Sequence, residues 1–102
     1  MGWPMVPSGF RKVLVWCTRR YRPVRGIYVT ENGIGMHEVG FEKSTKDYLR
    51  IEYMRHYLAA MSDAIAEGAD VRGYFAWSLL DNFEWTEGYS YRFGLAGQFA
   101  TR

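Results

Sequence analysis

Two short stretches hold most of the chemistry this sequence could perform. Glu31 stands in Thr30-Glu31-Asn32-Gly33, directly after the apolar run Gly26-Ile27-Tyr28-Val29. Asp81, Asn82, Glu84, Trp85 and Glu87 follow a second apolar run, Gly73 to Leu80. Carboxylates accept hydrogen bonds from hydroxyls, and a flat indole offers apolar surface to the C–H face of a ring. A carboxylate can also attack carbon and carry a covalent intermediate. These residue types suit a saccharide. A Glu just beyond a strand is nevertheless more often an exposed loop acid, and residue types alone leave both readings open.

Other constellations are weaker. His37, His56 and Cys17 lack metal-ligand spacing, so surface histidines and a buried thiol are expected, with no metal and no cofactor. Gly33-x-Gly35 follows a strand, but Glu38 stands where the third glycine of a dinucleotide fingerprint belongs.

The elements that must position these residues can be read from periodicity. Phe10, Val13, Leu14, Cys17 and Tyr21 share one face of a helix over residues 8 to 21, with Ser8 as its N-cap and Pro23 beyond its end. Residues 26 to 30 read as a buried strand, ended by Glu31-Asn32-Gly33, and residues 34 to 43 as a glycine-punctuated loop. Ser44 to Asp47 fits a capping box, after which Ile51, Met54, Leu58, Met61 and Ile65 recur at helical steps until Gly68. Tyr48, Tyr53 and Tyr57 lie on the same helix, where packing accounts for them. Residues 72 to 80 read as a second strand and Asp81 to Leu95 as a polar, aromatic loop.

Two buried strands joined by a long helix imply an α/β fold with a parallel βαβ crossover. In such folds ligands gather at the carboxyl ends of the strands, where Glu31 and the 81–87 segment both fall.

At 102 residues the chain is one domain at most, able to bury roughly 60–70 % of its unfolded surface. Four Trp, eight Tyr and six Phe exceed what so small a core holds, so some rings should line a groove or face a partner. The formal charge of +2 hides an asymmetry, because residues 1 to 30 carry six Arg and Lys and no acid. An organelle transit peptide or a nucleic-acid patch would fit that composition; a solvated basic helix face is the plainer reading. Cys17 has no partner for an internal disulfide. No sequon and no apolar run of membrane-spanning length occur in these residues, no signal peptide is expected, and Val6 spoils a myristoylation start. A soluble, cytoplasmic protein without nucleic-acid or membrane partners is the default expectation.

The wording of the sequence adds a resemblance. Tyr28-Val29-Thr30-Glu31-Asn32-Gly33 is similar to the segment of family 1 glycoside hydrolases, the β-glucosidase family, in which a hydrophobic strand runs into Thr-Glu-Asn-Gly. Gly73 to Trp85, GYFAWSLLDNFEW, resembles the family's final barrel strand and sugar-binding loop. Glu87-Gly88-Tyr89-Ser90, Arg92-Phe93-Gly94-Leu95 and Met1-Gly2-Trp3-Pro4 continue the likeness. It covers residues 1 to 95 and leaves 96 to 102 as a divergent tail.

The resemblance implies a partial (β/α)8 TIM barrel made of its last two βα units. It implies retaining hydrolysis of a β-glucoside or related small saccharide. Glu31 matches the nucleophile, Glu84 the acid that binds glycone hydroxyls, and Trp77 the indole floor under the sugar. Trp85 matches the indole whose N–H meets a hydroxyl, and Phe93 a wall of the same subsite. The family draws its acid/base from an Asn-Glu-Pro segment, which does not occur here. Retention needs two carboxyl groups about 5–5.5 Å apart. A truncated glycosidase, very weak or inactive alone, is therefore the expectation. Its alternative is a non-catalytic remnant that binds sugar or protein through Trp77, Glu84 and Trp85. Two open strand edges are expected to favour self-association.

Overall fold

The computed structural model describes residues 3–37 and 47–96. Helix α1 spans Pro7–Tyr21, strand β1 Ile27–Asn32, strand β2 Met36–His37, helix α2 Tyr48–Ala66, strand β3 Val71–Ala76 and strand β4 Tyr91–Arg92, with a 3-10 turn at Trp85–Glu87. β1 and β3 pair in parallel and β2 and β4 antiparallel. Both helices lie on one face of the β1–β3 pair. Leu14 and Val15 of α1, Val29 of β1, Ala64 of α2 and Ala69 form the core, with Phe10, Ile27, Met61, Val71 and Tyr74 packed around it. Tyr28 and Phe75 point from the opposite face and are 55 % and 60 % exposed.

α1 starts one residue before the expected position. Pro7 occupies its first turn, where proline's missing N–H costs nothing, and Val6 rather than Ser8 stands at the N-cap. Arg22 ends the helix in the left-handed region, donating its N–H to the Thr18 carbonyl. The buried face is turned from the one periodicity suggests. Leu14 and Val15 are buried, whereas Val13 and Tyr21 are exposed. The Thr18 hydroxyl explains part of the rotation, since it accepts the Asp70 N–H at the foot of β3 and so must face inward.

The same correction applies to α2. Its buried residues are Arg50, Tyr53, Tyr57, Ala60 and Ala64, one position before the stripe of Ile51, Met54, Leu58, Met61 and Ile65. Ile51 is 58 % exposed while Ala64 is fully buried. Small alanines let the backbone approach the core closely. Arg50 and the tyrosines bury their bodies because their polar ends have partners. Ser44, the expected cap, lies outside the described residues, and Asp47 stands at the N-cap with no capping bond from its side chain. The expected stop holds, because Gly68 follows α2 with φ of +98°.

Both strands differ in length from expectation. β1 runs on through Glu31 to Asn32. β3 ends at Ala76, four residues early, because the chain beyond it bonds to another segment. Ser78 N–H donates to the Phe93 carbonyl, Leu95 N–H to Ser78 and Ala96 N–H to Leu79. β2 and β4 lie within stretches read as loops. Their pairing sets Met36 opposite Arg92 and His37 opposite Tyr91, and brings the loop after β1 onto the loop after β3.

The observed face of α2 is directly measurable. Ala64→Leu should cost about 1–3 kcal/mol by overpacking, and Ile51→Ala less than about 0.5 kcal/mol, in urea unfolding. Equal costs would contradict the assigned face.

Candidate functional site

The carboxyl ends of β1 and β3 lie side by side, joined by a last rung in which Trp77 N–H donates to the Asn32 carbonyl at 2.9 Å. Beyond it the two backbones stay so close that a Cβ on Gly33 would collide with the Trp77 carbonyl oxygen. Residue 33 must therefore be glycine for this approach. A cleft of about 390 Å³ opens here, lined by Trp3, Glu31, Asn32, Gly33, Tyr53, Tyr57, Trp77, Glu84 and Phe93.

Four of the five residues singled out from the sequence thus meet in one place. Glu31 comes from β1, Trp77 from the residue after β3, and Glu84 and Phe93 from the loop that follows. Trp85 is not among the lining residues; it opens the 3-10 turn with φ of +45° and is 82 % exposed. Glu84 is held from within its own loop, its Oε2 accepting the Asn82 Nδ2–H at 2.7 Å. Phe93 is 4 % exposed, so it presents only part of its ring to the cleft.

A buried cation fixes the floor of that loop. Arg50 of α2 donates from Nη1 to Asp47 Oδ2 at 2.7 Å and to the Gly94 carbonyl, and from Nη2 to the Arg92 carbonyl at 2.9 Å. The two carbonyls flank Phe93, so one guanidinium sets the height of that ring. Gly94 N–H in turn donates to Asp81 Oδ1 at 2.9 Å, closing the loop on itself.

Trp3, Asn32, Tyr53 and Tyr57 were not singled out as site residues. Trp3 is an exposed indole at the mouth of the cleft. Tyr53 and Tyr57 are one helical turn apart and stack with centroids 4.2 Å apart. The Tyr57 hydroxyl accepts the Val6 N–H at 3.0 Å, which ties the segment before α1 to α2. The Tyr53 hydroxyl accepts Asn32 Nδ2–H at 3.1 Å, and the Tyr74 hydroxyl donates to Asn32 Oδ1 at 2.9 Å. Burial, reinforced by Tyr57, pushes the Tyr53 phenol up to about 12, and burial raises Tyr74 as well. The sequence signal for this cluster is the spacing of the two tyrosines four apart on α2, a spacing that packing also explains.

A second, larger groove of about 460 Å³ is lined by Lys12, Val15, Trp16, Arg19, Arg20 and Glu67. It lies where the helices end and β3 begins, at the opposite end of the fold from Glu31. Its lining is mostly basic, and its single carboxylate, Glu67, is paired with Arg11. Among the described residues no three His, Cys, Asp or Glu gather as a metal site, and no helix is long and apolar enough to cross a membrane.

Residues 1–97 match the sequence model of glycosyl hydrolase family 1. The chain belongs to that family. Family 1 relatives include β-glucosidase 47 of Arabidopsis thaliana, 51 % identical over 89 residues, which cover 87 % of this chain and 16 % of the relative. A 6-phospho-β-galactosidase of Lacticaseibacillus casei is 48 % identical over 98 residues, covering 91 % of this chain and 21 % of that protein. A rice β-glucosidase structure superposes with a TM-score of 0.87 at 42 % identity, over 95 % of this chain and 21 % of the other. This family 1 chain thus spans about a fifth of the length of its relatives. The solved family 1 β-glucosidases are TIM barrels, and its α/β arrangement with parallel strands is consistent with part of one.

The raised phenol gives a pH signature. Tyr53 is neutral when protonated, and its folded value lies above the ordinary 10.0. Its contribution to stability is therefore complete below about pH 10 and lost as pH rises from about 10 toward 12. Urea midpoints measured from pH 8 to pH 12 should fall less steeply across that window in Tyr53→Phe than in the parent chain. Identical slopes would mean that the phenol is not buried as described.

Proposed function

We propose that the chain forms the last two βα units of a family 1 barrel, residues 1–102 being its C-terminal portion. In this reading it supplies the nucleophile and part of the glycone site of a retaining β-glycosidase. The observation that carries this is the meeting of Glu31, Trp77 and Glu84 in one cleft at the carboxyl ends of two parallel strands.

Glu31 is the nucleophile. Its carboxylate oxygen forms a bond to the anomeric carbon as the bond to the leaving oxygen breaks, giving a glycosyl ester that water then hydrolyses. Trp77 offers its ring face to the C–H groups of the pyranose. Glu84, already accepting from Asn82, accepts from hydroxyls remote from the reacting carbon. Phe93 closes one wall, and Trp85, next to Glu84 in the chain, donates its indole N–H to a sugar hydroxyl. Two carboxylates in one cleft also suit a transition state with positive charge on the sugar ring.

The substrate class is a terminal β-linked glucose or a close relative of it. Relatives named for β-glucosides and for 6-phospho-β-galactosides support a pyranose but leave the substituent open. Protonation of the leaving oxygen falls to a carboxyl group other than Glu31. Where general acid help is missing, hydrolysis of unactivated glycosides drops by a factor of about 10²–10⁴.

A dinitrophenyl β-glucoside tests the proposal, because its leaving group needs little acid help. The chain should hydrolyse it, and Glu31→Gln should reduce the rate to background. Equal background from both proteins, each folded by circular dichroism, would show that the chain does not act as an enzyme by itself. Saturable binding of the sugar without turnover would then favour a binding remnant.

A further inference from the structure

Val29 and Asn32 are three positions apart on β1, yet both face the helices. Val29 packs with Leu14, Val15 and Ala64, while the Asn32 amide sits between Tyr53 of α2 and Tyr74 of β3. Strict strand alternation sends residues an odd number of steps apart to opposite faces. The register resolves the conflict. Val29 stands opposite Tyr74 and Asn32 opposite Ala76, so β1 spends three steps where β3 spends two. That is a bulge at Thr30–Glu31, and bulges re-aim side chains. Without it, Glu31 would share the helix side with the buried Val29; with it, Glu31 is exposed, and it shares the cleft with Trp77 and Glu84.

We infer that Asn32, gripped by Tyr53 and Tyr74, is the positioning residue that keeps this bulge and thereby aims the Glu31 carboxylate. The inference rests on the reading of Glu31 as nucleophile. Asn32 uses three polar groups at once. Nδ2–H donates to the Tyr53 hydroxyl, Oδ1 accepts from the Tyr74 hydroxyl, and the carbonyl accepts from Trp77 N–H. The first two bonds reach both α2 and β3, so slipping β1 by one residue breaks both. A side chain of similar size without polar atoms fills the space but does not resist the slip.

The test uses the whole chain, its Asn32→Leu variant, and a double variant carrying Tyr53→Phe and Tyr74→Phe. The probe is 2,4-dinitrophenyl 2-deoxy-2-fluoro-β-glucoside. Glu31 forms a bond to its anomeric carbon and dinitrophenolate leaves with the electron pair, so no acid is required. Peptide mass mapping locates the adduct, and the concentration dependence of labelling separates the binding constant KI from the rate constant kinact.

A misplacement of about 1 Å costs on the order of 100-fold in rate. Both variants should therefore lose between about 10- and 100-fold in kinact with KI within about threefold of the parent. If Asn32→Leu does not fold, the double variant carries the test, because it removes only two hydroxyl groups and keeps both rings. Unchanged kinact in a labelled, folded variant overturns the inference alone. A rise in KI that accounts for the whole loss also overturns it, since that marks a loosened cleft rather than a misaimed carboxylate. A parent chain that takes up no label at Glu31 removes the nucleophile reading and this inference with it.

Discussion

The parallel pairing of β1 with β3 is the constraint on which the remaining structure depends. Because the strands run in the same direction, their carboxyl ends emerge together, and the chain between them must return along the helix layer as α2. Three further features follow. The two loops that carry acids and indoles open on the same side. α2 has to present a close-packing face to the strands and a polar face to those loops. The final rung, Trp77 N–H to the Asn32 carbonyl, sets the distance between the strand that carries Glu31 and the one that leads to Trp77.

Arg50 shows how the helix reaches the loops. A guanidinium removed from water is costly unless its donors are occupied and its charge is matched. Here Asp47 supplies the charge, and the carbonyls of Arg92 and Gly94 take further donors. The bond to Asp47 alone would be an ordinary pair within one helix end. The bonds to the two carbonyls turn it into a bracket between α2 and the loop after β3. The antiparallel β2–β4 pair braces the same loop from the side of β1. The loop that lines the cleft with Glu84 and Phe93 is therefore held by Arg50 and the β2–β4 residues, which do not line the cleft themselves.

Much of this was legible in the sequence, and the parts that were not share a cause. The order of helix, strand, helix and strand could be read from periodicity and from Pro23 and Gly68. The meeting of Glu31, Trp77, Glu84 and Phe93 followed from the wording of two motifs and of the stretch Arg92-Phe93-Gly94-Leu95. The inner face of α2 could not be read by hydrophobicity. Arg50, Tyr53 and Tyr57 count as polar or ambiguous until their partners are known, and those partners lie in the loop after β3, in β1 and before α1. Ile51 and Ile65 score as core residues yet stand exposed. The short strands β2 and β4 were hidden for a related reason, since a two-residue strand has no period of its own. The bulge at Thr30–Glu31 is likewise a property of the pairing and not of either segment.

The crossover also has a kinetic meaning. Each β1–β3 rung joins residues far apart along the chain, from residue 27 with 71 to residue 32 with 76. Closing so long a loop carries an entropic cost that must be met before any rung can form, which makes such pairings slow. α2 shortens the gap, because 19 residues wound at about 1.5 Å each span far less than the same residues extended. Its local bonds can form within about a microsecond, ahead of the sheet. The cleft, whose acids lie on either side of that crossover, can form only once these rungs have closed.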